Sequence, residues 1–296
     1  MRNSLNHAKY ADVAASTSAQ PGQVTVSALS HIMTGPEQSR VPLFQRHYRW
    51  GEKGAKEWQD MWNDIARLAL DRRTQPDARH FLGSVVLSKP HPRSEGQLVV
   101  DGQQRLITIS LLLCALRDHG SDLSAPTRRR IDDALWLHVC SRANVYKRLR
   151  VLPTEFDQDA YARVVSSDEA KDDESYSGVS ASEIALTTLS GLECVLVHAG
   201  DGDNAHRIFD SLNNTGLPLT RADLIRNYVF LRLDGSTEDF YQFTFKPLEN
   251  RFSPDEFTQL FWLDPILKGG EVTQRQTYSR WQRRMESMSP CFPLAS

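Results

Sequence analysis

The amino-acid sequence predicts an α+β fold: a small β-rich core carrying helices, followed by a mainly helical region. Three observations lead there. Strand signals are short and few, and all but one fall before residue 101. The longer apolar stretches repeat with helical rather than alternating spacing. Strands and helices do not alternate in the regular way that a doubly wound parallel sheet requires. With 296 residues the chain has room for one large domain or two modest ones. The reading divides it into a tail over 1–22, a core over 23–125 and a helical region over 126–296.

Residues 1–22 are polar and rich in small side chains, lack the apolar centre of a signal peptide, and read as a mobile tail. "VTVSAL" (24–29) is a strand, and "SRVPLF" (39–44) is extended on both sides of Pro42. Residues 54–73 set Trp58, Met61, Trp62, Ile65 and Leu68 at helical spacing. "FLGSVVLS" (81–88) is a continuous apolar run with one glycine, as a strand buried on both faces would be. "HPRSEG" (91–96) turns the chain into the strand "QLVV" (97–100). Gln103–His119 is an almost wholly apolar helix, which implies burial on most sides. Helices are expected over 126–140, 155–168, 203–214 and 221–234, a disordered polar loop over 166–182, and a strand at "LECVLVHA" (192–199). Beyond residue 236 the pattern is helical with aromatic stripes.

Composition narrows the function. A net charge of −2 excludes a globally basic nucleic-acid binder. Basic residues nonetheless gather in "TRRRIDD" (127–133) and "SRANVYKRLRVL" (141–152), which form either a local DNA-binding face or solvated surface. No apolar run is long enough to span a membrane, so no membrane partner is expected and the cytoplasm is the default location. The four cysteines form no C-x-x-C pair and read as buried thiols; no metal site is expected. The P-loop, dinucleotide, nucleophile-elbow and zincin motifs are all missing. No histidine follows His206.

Three constellations remain. In "VDGQQRL" a strand ends at Val100, Asp101-Gly102 makes a turn, and Gln103 starts a helix. Asp101 is placed to cap that helix. A helix start is already positive, so Arg105 there is unfavourable unless an anion joins it, and phosphate suits amide N–H groups and a guanidinium fork. In "VPLFQRHYRW" (41–50), Phe44, Tyr48 and Trp50 interleave with Gln45, Arg46 and Arg49. That pattern suits stacking on bases beside phosphate contacts, or a core edge with snorkelling arginines. In "HRIFDSLNNTGLPLTRADLIRNYVF" (206–230), Asn213, Arg221, Asp223, Arg226 and Asn227 crowd one helix–helix corner and read first as a structural network.

These motifs, with "FLGSVVL" (81–87), stand in an order and at spacings that resemble the N-terminal domain of GmrSD-type, modification-dependent restriction proteins. The likeness is greatest to SspE-type members of phosphorothioate-dependent phage defence. The resemblance implies a ParB/sulfiredoxin-like core and a nucleoside triphosphate, GTP or ATP with a candidate magnesium ion, bound and hydrolysed at Asp101, Gly102, Gln103, Gln104 and Arg105, with Arg46 as a further contact. Asp101 would orient water or a metal, Gln104 the attacking water, and Arg105 would stabilise phosphoryl charge. Phe44, Gln45 and Arg46, with Phe44 replacing the commoner tyrosine, would sense modified DNA. Tyr48, Lys147 and Arg148 would add DNA contacts. Such proteins carry a C-terminal His-Asn-His nuclease domain, and this chain reads as a truncated or split form without one. A homo-oligomer is left open. Two other readings stand beside this one: a non-hydrolysing reader of modified DNA, and a ParB-like nuclease.

Overall fold

The computed structural model describes residues 23–43, 45–50, 56–88, 96–140, 145–166, 178–199, 221–230, 237–267, 273 and 276–288. The expected tail at 1–22 and helix at 203–214 lie outside these residues, as do Phe44, Asn213, all but Gly96 of the turn expected at 91–96, and positions 167–177 of the loop expected at 166–182. The chain divides into two compact units, Met1–Pro42 with His47–Leu212, and Leu43–Arg46 with Asn213–Ser296.

In the first unit the elements run β1 (Gln23–Ala28), α1 (Leu29–Thr34), β2 (Ser39–Arg40), α2 (Lys56–Asp71), β3 (His80–Ser88), β4 (Gln97–Asp101) and α3 (Gln103–His119). There follow α4 (Ala125–Leu135), β5 (Trp136–Cys140), β6 (Val145–Leu149), β7 (Val151–Leu152), α5 (Glu155–Ser166), α6 (Ala181–Ser190) and β8 (Leu192–Ala199). Six strands form a mixed sheet in the order β1-β8-β3-β4-β2-β7, while β5 and β6 make a separate antiparallel ribbon. In the middle, β3 pairs parallel with β8 and antiparallel with β4. Val85, Leu87, Val99, Cys194 and Leu196 point into the main core with the helices. Val86, Val100, Val195 and Val197, which alternate with them, are also buried. Burial on both faces explains the unbroken apolar run of β3.

Twelve of the 17 residues of α3 are buried, which leaves only a narrow stripe at Leu111, Ala115 and Asp118 toward solvent, and the helix packs against α4, α5 and α6. Two of its buried polar side chains bond to backbone: Ser110 Oγ donates to the Leu106 carbonyl, and Arg117 Nη1 donates to that of Val165.

The observed strands over 80–88, 97–101 and 192–199 match expectation closely. The helix expected over 126–140 does not. It stops at Leu135, and Trp136–Cys140 is a strand paired with Val145–Leu149. Aromatic and β-branched side chains at 136–139 favour the pleated form once a partner strand is at hand. Within the stretch read as extended at 39–44, Ser39 and Arg40 pair as β2 and the Val41 N–H donates to the Leu152 carbonyl. Helices α1 and α6 were not expected; α6 begins inside the stretch read as a disordered loop over 166–182, at a capping box of Ser180 and Glu183 that starts a helix there.

The second unit holds α7 (Arg221–Phe230), a helical stretch over 237–249 with a π-helical turn at Tyr241–Phe245, α8 (Pro254–Leu267) and α9 (Thr277–Met288). The aromatic stripes meet around Phe245, whose ring lies edge-on to Phe230 at 5.1 Å and Phe257 at 5.6 Å.

The capping box yields a pH prediction. Arg73 Nε donates to the Glu183 carboxylate at 2.7 Å, and the Ser180 N–H donates to it at 2.9 Å. Arg73 first, then Ser180, holds the Glu183 pKa down to about 2. A depressed folded pKa gives stability that is complete above the ordinary value of 4.5 and is lost as pH falls toward about 2. Urea unfolding across that window should be less pH-dependent for Glu183→Gln than for the parent chain. Identical pH profiles would mean that solvent screens the contact to nothing.

Candidate functional site

Strand β4 passes into α3 through one residue, Gly102, with φ +93° and ψ +3°. Only glycine adopts this left-handed backbone at little cost. Space demands glycine as well. A Cβ here would lie 3.0 Å from Val85 Cγ2 and 3.2 Å from the Ser84 carbonyl oxygen. Helix α3 therefore starts pressed against β3. Gly102 is its N-cap residue, and no side chain caps it. The first amide groups of a helix have no carbonyl partners within the helix, so this end has positive character.

Asp101 does not cap α3, contrary to expectation. It still belongs to β4, paired with Val86, and its carboxylate accepts from Ser84 Oγ at 3.1 Å. Gly102 takes the cap position because it alone can make the turn.

Arg105 lies one turn into the helix. Its Nη1 donates to the Ser84 carbonyl at 3.1 Å and sits 3.9 Å from Asp101 Oδ2. Gly83, with φ +103°, lets the guanidinium cross the strand, since a Cβ there would be 3.2 Å from Arg105 Nη2. The ladder slips here: β3 changes register with β8 between Phe81 and Ser84, and with β4 between Val86 and Leu87. The cation at the helix start thus already has a protein anion beside it, and the expectation that it depends on an outside anion is corrected. Nearby Cys194 is a packing thiol: burial pushes its pKa up to about 12, against the pull of the Arg105 charge.

Gln104 faces another way. Its Oε1 accepts from the Arg49 N–H at 2.9 Å and the Trp50 N–H at 3.4 Å, while its Nε2 donates to the His47 carbonyl at 3.2 Å. Both lone pairs of the amide oxygen are then in use. Tyr48 is drawn into the same strap. Its hydroxyl meets Thr108 Oγ1 at 2.8 Å, its N–H donates to Asp157 at 2.7 Å, and burial raises its pKa. Residues 47–50 are thereby fastened along the first turns of α3, where Gln103 is also buried.

The remaining expected residues lie elsewhere. Gln45, buried, and Arg46, half-buried, group with the second unit. Lys147 and Arg148 stand on β6, Lys147 Nζ 5.9 Å from the Trp136 ring centre and Arg148 5.3 Å from that of Tyr146. Two members of the basic stretches are structural instead. Arg128 donates to the carbonyls of Arg117 and Gly120. Arg150 is buried and donates to those of Gly35, Asp133 and Trp136. In the second unit Arg226 pairs with Asp223 at 3.5 Å and with Glu249, under the Phe245 ring. Asn227 lies on the same helix, α7. Glu249, 23 positions from Arg226, carried no signal in the sequence. Among the described residues no His, Cys, Asp and Glu side chains gather as a metal site, and no helix is long and apolar enough to cross a membrane.

Against known families, residues 29–230 match the model described as GmrSD restriction endonuclease, N-terminal domain. That span takes in the whole α3 start, its strap, the β5–β6 ribbon and every strand of the six-stranded sheet except β1. No curated protein matches the chain.

The α3 start yields a stability prediction. Gly102→Ala adds left-handed strain to a clash with β3 and should cost about 1–3 kcal/mol in urea unfolding. An unchanged midpoint would show that α3 is free to move off the strand.

Proposed function

The chain belongs to the GmrSD restriction endonuclease N-terminal domain family, and on that premise we propose that it binds and hydrolyses a nucleoside triphosphate at the start of α3, coupling turnover to the sensing of modified DNA. Family membership places it in a restriction system. The finer reading is carried by one observation: a long buried helix begins at a glycine with no side-chain cap, with Arg105 fixed one turn along. Amide N–H groups, a helix dipole and a preset guanidinium together suit a phosphate group.

The residues fit such a ligand. Arg105 has five N–H donors, and the Ser84 carbonyl and Asp101 face only one of its nitrogens. In this reading Arg105 supports phosphoryl charge, and Asp101 would hold a magnesium ion that arrives with the nucleotide, where it would neutralise charge on the phosphate oxygens. Gln104 has a different task from orienting water. Its amide ties α3 to the 47–50 strap, which continues directly from the Phe44-Gln45-Arg46 segment assigned to the DNA modification. Gln104 is therefore the coupling element between nucleotide and DNA. Lys147 and Arg148 add affinity for any DNA through phosphate contacts. The output of the domain is control of a nuclease domain. The engaged Gln104 oxygen also favours a second reading, a nucleotide-dependent reader that does not hydrolyse.

Nucleotide binding and hydrolysis by the chain, alone and with plain or phosphorothioate duplexes, separate these readings. Arg105→Ala should weaken nucleotide binding by at least about tenfold, as loss of a charge-assisted contact implies. Gln104→Ala should keep nucleotide binding but lose any response to modified DNA; a full response would remove it from the coupling route. Binding without turnover under every condition selects the reader.

DNA titrations at several salt concentrations test the division of labour. Phe44→Ala should shrink the modified-to-plain affinity ratio by about tenfold with the salt slope unchanged, by analogy with other specific contacts. Lys147→Ala with Arg148→Ala should lower both affinities and flatten the slope by about 2. The reverse pattern would move the reading surface to β6.

A further inference from the structure

We propose that the hollow between α1, α4 and the β5–β6 ribbon is a second anion site, one that takes a phosphate group. The hollow encloses about 630 Å³ and shares no residue with the start of α3. Arg130, Arg150 and His138 line it, against one carboxylate, Asp133.

Arg150 carries the argument. It is only 5% exposed, and its guanidinium donates to three backbone carbonyls, those of Gly35, Asp133 and Trp136. Its Nε has no hydrogen-bond partner. Carbonyl dipoles answer its hydrogen-bonding needs in part but leave a whole positive charge inside the protein, and such a charge is costly without a counter-ion. Asp133 acts on it through space without pairing to it, and burial still lowers the Arg150 pKa. Arg130 adds a second cation to the same hollow, on the exposed side of α4. His138 faces Lys147 across the ribbon. From residue 134 to residue 154 the chain has no carboxylate at all. Among the residues that line the hollow, Arg130 and Arg150 favour an anion and Asp133 is the one carboxylate that opposes it. The volume falls within the range of about 300–1,000 Å³ usual for small-ligand pockets, so a phosphate ester fits as well as phosphate itself. The charges of two guanidinium groups favour a doubly charged phosphate over a singly charged anion, and the exposed Arg130 is the one that can offer a forked contact. The ester can come from a free nucleotide or from a nucleic-acid backbone.

The test is calorimetric titration of the full chain with inorganic phosphate at low salt. It is run in an Arg105→Gln background so that the start of α3 contributes least. Saturable binding is expected. Arg130→Gln should weaken it by about fivefold, and Asp133→Asn should tighten it by about threefold, the change that removing one opposing charge near the surface produces. A tightening by Asp133→Asn cannot arise from damaged folding, so it separates an anion site from a merely structural Arg150. Equal phosphate affinity in the background chain and both variants, or no binding at all, overturns the proposal. With binding established, competition by a short plain duplex identifies a backbone phosphate as the ligand. Competition by a nucleoside monophosphate alone identifies a free ester, and either result retains the site.

Discussion

The close approach of Gly102 to β3 is the constraint on which the rest of the first unit depends. With no Cβ, the backbone turns from β4 into α3 within one residue and lays the helix start on Ser84 and Val85. From there Arg105 reaches back across Gly83 to the strand, while Gln104 reaches outward to residues 47–50. One helical turn thus joins the central strand, the carboxylate of Asp101 and a distant strap. The buried length of α3 behind it keeps that turn from shifting, because any movement would disturb a close-packed core.

Guanidinium groups recur as carbonyl staples throughout this unit. Arg105 binds the carbonyl of Ser84, Arg117 that of Val165, Arg128 those of Arg117 and Gly120, and Arg150 those of Gly35, Asp133 and Trp136. Backbone that is not paired in a sheet or helix still needs hydrogen bonds, and a long forked side chain can supply several at once. The consequence is a basic surface smaller than the sequence suggests. In "TRRRIDD" and "SRANVYKRLRVL", Arg128 and Arg150 point inward, whereas Arg129, Arg130 and Lys147 face solvent.

Much of the fold was legible because local pattern and tertiary context agree. β3, β8 and α3 are apolar in runs whose length alone separates strand from helix. Where the two disagree the sequence misled. Trp136–Cys140 continues a helical rhythm but pairs with β6, and α1 is only six residues long. The site was legible in part for the same reason. "DGQQR" announces a turn into a helix with polar residues at its mouth, yet the partner of each side chain lies far along the chain: Ser84 for Asp101, and His47, Arg49 and Trp50 for Gln104. Side-chain contacts across 17 to 57 positions leave no local signature.

In the proposed function a phosphate-bearing nucleotide sits at the start of α3 and is felt by the strap through Gln104. Amide hydrogen exchange at Arg49 and Trp50, whose N–H groups donate to Gln104 Oε1, measures this most directly. Saturating nucleotide should slow exchange at both amides in the parent chain and leave it unchanged in Arg105→Ala. Nucleotide binding with no change at either amide, or the same slowing in Arg105→Ala, would contradict the account.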